Sequence, residues 1–329
     1  MNKVLLIGSM PPPIGGVTIH IDRFVNLYNG EKYQVAVFDI KKRTLFKKEK
    51  YTKNIFTIFF YYITARIIHI HISNDYVKTF VAIFAKLFFK KVVYTHHNSI
   101  VKNKKVFKKM YKFCDKVILV NDKDIDKNLI DIKKTEVVPA FLPPYKFESL
   151  PVEIESELKK YNTIISTNCY LYNLFNKKHV YGFDLIVDAF YKLSKDGKIE
   201  NTLLILVDPS GTTKEFVYDL LKGLHFGTNK VLQVTQKIDF VSLVKKSDIT
   251  IRATRTDGDS LSIRESLYLN IPIIASDVTV RPEGTILFKD DNSDDLASKI
   301  LYVKEYKETF NYKYIDYGQQ IINIYNGLL

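Results

Sequence analysis

The sequence predicts an α/β protein made of two doubly wound domains in series. Three observations carry that prediction. Short, continuous apolar runs alternate with helix-length segments whose apolar residues recur every three or four positions, the pattern of a parallel sheet covered on both faces. The alternation stops at a proline-rich stretch, residues 141–153, and then restarts. With 329 residues, 46% of them hydrophobic, the chain is long enough for two cores.

In the first half, strands are expected at 3–8 (KVLLIG), 33–40, 67–73, 91–97, 115–121 and 135–140. The segment 17–28 has helical spacing. Residues 141–153 hold three prolines and read as a linker, expected to hinge when ligand binds. In the second half, strands are expected at 163–167, 202–207, 230–234, 248–253, 272–276 and 284–288, with helices between them such as 182–194. The tail, 314–329, reads as a final amphipathic helix. Doubly wound domains bind ligands at the carboxyl ends of their strands, so a cleft between the two domains is the expected site.

Composition narrows the classes. The two cysteines, Cys114 and Cys169, are far apart and form no C-x-x-C pair, which argues against a disulfide scaffold or a thiolate metal site. The start, MNKVLLIGSM, breaks at Gly8 and lacks the features of a secretory signal. The longest apolar stretches, 55–63 and 79–89, fall short of the ~20 residues needed to span a bilayer. A cytoplasmic, non-spanning protein is expected.

The net charge of +13 is unevenly shared: residues 1–150 carry 27 Lys and Arg against 12 Asp and Glu, and residues 151–329 carry 22 against 24. Two stretches concentrate the positive charge, KKRTLFKKEKYTKN (41–54) and KNKKVFKKMYKF (102–113), each with aromatic residues among the lysines. Such a surface suits an anionic lipid layer with rings dipping in. Nucleic acid and a protein or acidic-glycan partner are the lesser alternatives, and a plain solvated lysine face the bland one.

Three motifs bear on chemistry. GSMPPPIGGVTIHIDRF (8–24) leads from the first strand through Gly15 and Gly16 into a helix. Paired glycines permit close backbone approach, and the helix start offers N–H groups to an anion. The spacing fits neither G-x-G-x-x-G nor a Walker loop, and an ordinary strand-to-helix turn is the simpler alternative. VVYTHHNS (92–99) ends a strand with two adjacent histidines, His96 and His97, one of which can donate to a sugar hydroxyl or a carbonyl, with a metal site the lesser alternative; His97 is the candidate functional residue. His69 and His71 are expected mid-strand on one face, as satisfied core histidines.

RTDGDSLSIRESLYLNIPIIASD (255–277) is the most specific. Asp257 and Glu265 stand eight positions apart, separated by a flexible loop and a helix start expected at Ser262. Backbone N–H groups near Ser260, Leu261 and Ser262 suit a diphosphate, and Arg252, Arg255 and Arg264 can add charge without a metal. Glu265, expected in the first helical turn, and Asp257 in the loop can accept hydrogen bonds from sugar hydroxyls. A nucleotide-sugar has those parts in that order. A capped helix with solvated acids is the alternative.

This acid-x7-acid order, followed by NIPIIASD (270–277), closely resembles the signature of retaining GT-B glycosyltransferases of the family-4 type, in the variant found in bacterial O-antigen and capsule synthesis. GGV with His20, THH before Asn98, and YGFDLIVDAF (181–190) fall where that family has its landmarks, so the resemblance covers most of the chain. It implies GT-B architecture: two Rossmann-like domains facing a central cleft. Residues 1–145 would receive the acceptor and 146–311 the nucleotide-sugar, with the helix in 312–329 packing back towards the first domain.

The resemblance further implies that Glu265 binds the ribose, Asp257 lies near the donor sugar, and Leu261 and Ser262 donate to the diphosphate. It sets His97 on the acceptor side of the donor sugar and Gly16 beside the diphosphate. Gly15, Asn168, Arg252, Ser260 and Arg264 complete the expected donor contacts. The first acid is Asp rather than the usual Glu, and Thr167, Asn168 and Tyr181 stand where the family has a diphosphate-gripping Arg and Lys. Lys177, Lys178, Arg252 and Arg281 are the candidate replacements.

The implied activity is transfer of a hexose, with retention, from a nucleotide-sugar to a free or lipid-linked glycan at the inner membrane face, without metal, cofactor or nucleic acid. The alternatives are a GT-B epimerase or phosphorylase, and a non-catalytic partner in a polysaccharide assembly complex.

Overall fold

The computed structural model describes residues 1–13, 15–30, 32–47, 49–97, 101, 103–121 and 126–329. The chain forms two compact units, Met1–Tyr145 with Ile315–Leu329, and Lys146–Tyr314. Asn98 and Lys48, which belong to motifs noted above, lie outside the described residues.

The first unit runs β1 (Asn2–Gly8), α1 (Gly16–Leu27), β2 (Tyr33–Asp39), β3 (Thr44–Lys47), β4 (Lys50–Thr52), α2 (Ile55–Thr64), β5 (Ile67–Ile70), α3 (Asp75–Leu87), β6 (Lys91–His96), α4 (Lys104–Lys112), β7 (Lys116–Leu119) and β8 (Thr135–Val137). Its sheet order is β4-β3-β2-β1-β5-β6-β7-β8. All pairings are parallel except β2/β3 and β3/β4. Alternate residues of β1 serve opposite faces: Leu5 and Ile7 join Ala82 and Phe107 in one core, and Val4 and Leu6 join Ile21 and Phe24 in another. Asparagine side chains cap three helices, Asn54 on α2, Asn74 on α3 and Asn103 on α4, each accepting backbone N–H bonds.

The β3–β4 hairpin is a departure from the sequence reading, which took 41–54 as a basic surface stretch. Tertiary packing decides here: Leu45 and Phe46 are buried, and an edge strand leaves the cations in solvent.

The second unit runs α5 (Val152–Leu158), β9 (Thr163–Asn168), β10 (Leu174–Phe175), β11 (Lys178–His179), α6 (Phe183–Lys195), β12 (Thr202–Val207), α7 (Lys214–Leu221), β13 (Lys230–Val234), α8 (Phe240–Val244), β14 (Ile249–Arg252), α9 (Leu261–Tyr268), β15 (Ile273–Ser276), β16 (Ile286–Phe288) and α10 (Ser293–Tyr306). Its main sheet, β13-β12-β9-β14-β15-β16, is wholly parallel. Apolar clusters pack on both faces, around Phe183 and Phe190 on one and Leu203 and Leu243 on the other. β10 and β11 make a small hairpin after β9, absent from the sequence reading.

The last helix, α11 (Tyr317–Asn326), belongs to the first unit. There Tyr325 is fully buried and shares a 2.5 Å hydrogen bond with His69 Nδ1.

The expected linker is shorter than 141–153. Phe141 and Leu142 are buried in the first unit, and Leu150 and Ile154 in the second, which leaves 145–149 exposed. Apolar side chains at both ends of the proline-rich stretch anchor it.

Strand order reverses once in each sheet. In the first unit the chain leaves β1 towards β2 and later resumes on the other side at β5; in the second it leaves β9 towards β12 and resumes at β14. Ligand crevices in open α/β sheets lie at such switch points, outside the carboxyl ends of the strands.

Candidate functional site

In the second unit, β9 ends at Asn168 and β14 at Arg252, and their pairing (Thr250 opposite Ser166) continues to set these two ends side by side at the switch point. The loop after β14 then brings the predicted residues together.

Asp257 lies in that loop with both oxygens engaged. Arg252 holds it bidentately, Nε to Oδ2 at 3.0 Å and Nη2 to Oδ1 at 3.2 Å. Arg281 Nη1 donates to Oδ2 at 2.9 Å, and Thr254 Oγ1 donates to the same oxygen at 3.0 Å. Burial alone would raise this carboxyl's pKa; the charges and hydrogen bonds of Arg252 and Arg281 outweigh it and hold it below the usual aspartate value. Arg281 is itself buried and fixed by Ser276 O (3.0 Å) and Thr254 Oγ1 (3.1 Å). The Arg252 guanidinium lies over the Tyr181 ring, 5.1 Å from its centroid. Two cations on one carboxylate leave a positive surplus at the switch point.

Helix α9 starts at Leu261, one residue earlier than the sequence suggested, with Ser260 as N-cap in extended conformation (φ −73°, ψ 123°). Ser260 makes no side-chain cap bond to the helix; its Oγ lies 3.0 Å from Ser262 Oγ. The N–H groups of the first turn therefore have no intrahelical acceptor and point out of the helix start. Glu265 is the fifth residue of α9, just past the first turn where the sequence put it, and is 5% exposed. The shift follows from the earlier cap.

The other cations take separate roles. Arg264 Nε donates to both oxygens of Asp259, at 2.7 and 2.9 Å. Arg255 is a strut, buried between Asp184 (2.9 and 2.7 Å), Asp291 (3.1 and 2.9 Å) and the His179 carbonyl (2.6 Å). Lys178 pairs with Asp291, and Lys177 sits in the β10–β11 turn at positive φ. Of the candidate replacements for the family's cationic pair, Arg252 and Arg281 are the two on Asp257.

Gly182 explains the YGF landmark. It caps α6 with φ +65°, and a Cβ there would collide with the Ala253 carbonyl oxygen. Only glycine lets the start of α6 come this close to the end of β14.

In the first unit, Gly15 is the N-cap of α1 and Gly16 its first residue. Gly15 N–H donates to Thr18 Oγ1 at 3.0 Å, and Thr18 donates to Pro13 O at 2.8 Å. A Cβ on Gly16 would meet nothing within 4 Å, so the loop is open on that side.

His97 follows β6 and joins a cluster that the sequence did not reveal. Its Nε2 lies 2.9 Å from His71 Nδ1, and the rings of His20, His71 and His97 stand 5.3 to 5.4 Å apart. Desolvation, with repulsion from the neighbouring histidines, holds His97 well below the usual imidazole pKa. His20 is lowered to about 4, chiefly by burial, although its bond to the Ala140 carbonyl (2.6 Å) works the other way. These rings are therefore neutral at physiological pH.

His69 is a satisfied core histidine, bonded to Tyr325 and to Thr95 Oγ1 (2.7 Å). His71 is not mid-strand as expected: β5 ends at Ile70, and His71 Nε2 is buried with no partner among the described residues. The alternating IHIHI pattern carried the signal for the shared face but not for the strand end. Among the described residues no three His, Cys, Asp or Glu side chains are grouped to hold a metal ion.

Residues 157–320 match the family model of Glycosyl transferases group 1. The chain carries a glycosyltransferase group 1 domain. This group 1 domain contains the α9 start, Asp257, Glu265 and both arginines on Asp257. Solved structures extend the likeness to the whole chain. HepE of Anabaena in complex with UDP is 12% identical, with a TM-score of 0.62 over 99% of this chain and 100% of that one. A glycosyltransferase from Rickettsia africae is 17% identical, with a TM-score of 0.65 over 99% and 98%. Sucrose-phosphate synthase from Thermosynechococcus elongatus is 14% identical, with a TM-score of 0.60 over 100% and 99%. At these identities the likeness is one of fold: around the group 1 domain the chain has the GT-B fold, with two Rossmann-like units. Curated proteins give no significant match.

Proposed function

We propose that the protein is a retaining glycosyltransferase that moves a hexose from a nucleotide-sugar to a glycan or lipid-linked oligosaccharide, in the synthesis of a bacterial surface polysaccharide. The observation that carries the reading is the start of α9: outward N–H groups and a buried Glu265, beside two arginines that share one carboxylate. In this reading Leu261 and Ser262 N–H groups take the diphosphate, with Arg252 and Arg281 supplying positive potential. Glu265 accepts from the ribose hydroxyls.

Fixed dipoles and cations stabilise the charge that develops on a departing nucleotide diphosphate, and no metal is needed for that step. Asp257 positions the two arginines beside the donor sugar. His97, neutral, donates to a hydroxyl of the transferred sugar. The departing phosphate takes the proton of the incoming hydroxyl on the face it leaves, which retains the anomeric configuration.

HepE has been crystallised with UDP and with UDP-glucose, so uridine nucleotide-sugars head the donor screen. A thermal-shift screen across nucleotide-sugars identifies the donor, because a ligand bound only to the folded state raises stability with its excess over Kd. Glu265→Ala, folded by circular dichroism, should then lose transfer. Turnover equal to wild type would exclude Glu265 from the donor site. Donor cleavage without a glycan acceptor would instead favour the phosphorylase or epimerase reading.

A further inference from the structure

Most large apolar side chains of the two basic, aromatic stretches turn inward, although the Tyr51 ring stays half-exposed. Leu45 and Phe46 in the first, and Phe107 and Met110 in the second, are buried in the core, because the hairpin and α4 each turn their apolar residues inward. Most of the exposed aromatic surface comes from two neighbouring helices, α2 and α3.

Helix α3 buries Lys78, 1% exposed, where its Nζ pairs with Asp75 (2.6 Å) and donates to Tyr94 Oη (3.0 Å). The same helix turns Phe80 (67% exposed) and Leu87 to solvent, and Phe89 just beyond it is 96% exposed. Helix α2 carries no charged residue and exposes Phe56 (81%), Phe59 and Phe60 (63%) along one face. The two helices adjoin through Tyr62, whose ring lies 5.5 Å from Phe84 and 5.7 Å from Phe88. Both pack on the same face of the sheet as α4, whose outer side presents Lys105, Lys108, Lys109 and Lys112. One helical layer thus has an aromatic centre and a cationic flank.

We infer that this outer layer docks on an anionic lipid bilayer, with the α2 and α3 aromatics entering the acyl boundary and the α4 lysines resting on headgroup phosphates. A contiguous exposed apolar patch marks an interaction surface. Charge selects the occupant. Residues 41–113 contain eighteen Lys and Arg against two acids, and one of those acids, Asp75, is taken by Lys78. Two copies meeting through this face would bring like charges together, whereas an anionic headgroup layer neutralises them. Helices of ten and thirteen residues that lie flat with bulky rings outward match interfacial insertion. Among the described residues no helix is long and apolar enough to cross a membrane. This inference stands apart from the transferase reading, since docking needs no donor.

The chain has no tryptophan, so a single one introduced by Phe80→Trp reports on this surface alone. The full-length variant is mixed with phosphatidylcholine vesicles with and without phosphatidylglycerol. Its emission should shift to the blue and become protected from an aqueous quencher with the anionic vesicles only, and salt should reverse this. Tyr218→Trp, on exposed α7 of the other unit, should not shift. Lys108→Gln with Lys109→Gln should weaken vesicle binding by roughly twenty-five-fold, from about five-fold per cation. Phe56→Ser with Phe60→Ser, both at exposed positions, should weaken it further.

No blue shift, an equal shift with neutral vesicles, or the same shift for the Tyr218→Trp control would overturn the inference. So would a dimer in solution that dissociates in the Phe56→Ser, Phe60→Ser variant, since the face would then be an interface between copies.

Discussion

Replacing Leu261 by proline removes one hydrogen-bond donor at the place where the account puts a diphosphate. Leu261 is the first residue of α9, where proline is tolerated because the N–H has no helical acceptor. The residue before it already has the extended conformation that proline requires, with Ser260 at ψ 123°. The fold should therefore survive. A hydrogen bond to a charged group contributes about 1.5–3 kcal/mol, or about ten- to hundred-fold in affinity. Leu261→Ala, which keeps the N–H and removes the half-buried side chain, is the control. UDP binding by titration calorimetry should weaken by that factor in Leu261→Pro and by little in Leu261→Ala. If the two folded variants bind UDP equally, the backbone of α9 does not hold the diphosphate.

Three more outcomes are expected. Gly182→Ala should destabilise the chain by about 2 kcal/mol or more, since it adds left-handed strain and a clash with Ala253, whereas Gly197→Ala, at φ +63° in open space, should cost only the strain; comparing their urea midpoints checks this. His20 is lowered to about 4 in the folded state against about 6.5 unfolded, so its contribution is intact above pH 6.5 and is lost as the pH falls towards 4. His20→Gln should flatten the stability profile in that window. Asp257 has a depressed pKa, so its contribution is present above about 4 and disappears as the pH falls through the folded value; Asp257→Asn should be less stable at neutral pH and lose less on acidification.

The parallel sheets were legible because central strands buried on both faces must be apolar throughout, as in VLLI of β1 and LLIL of β12. The β3–β4 hairpin was not, because an edge strand leaves its charged residues in water and only Leu45 and Phe46 betray the core side. In the candidate site, the spacing of Asp257 and Glu265 was readable since both lie on one loop and helix. The Arg281–Asp257 pair was not, as it joins residues 24 apart across a strand. His71 meets His97 only because β5 and β6 are neighbours and both end beside the first switch point. The orientation of α3 was hidden in plain periodicity: its lysine and its phenylalanines have helical spacing either way, and the contact of Lys78 with Tyr94, beside Ala82 and Ala85 in the core, shows which side is inside.

The most direct measurement is a crystal structure of the full chain grown with UDP-glucose. The account predicts diphosphate oxygens within about 3 Å of the Leu261 and Ser262 nitrogens and the ribose hydroxyls on Glu265. A nucleotide found away from the start of α9, with Glu265 untouched, would contradict it.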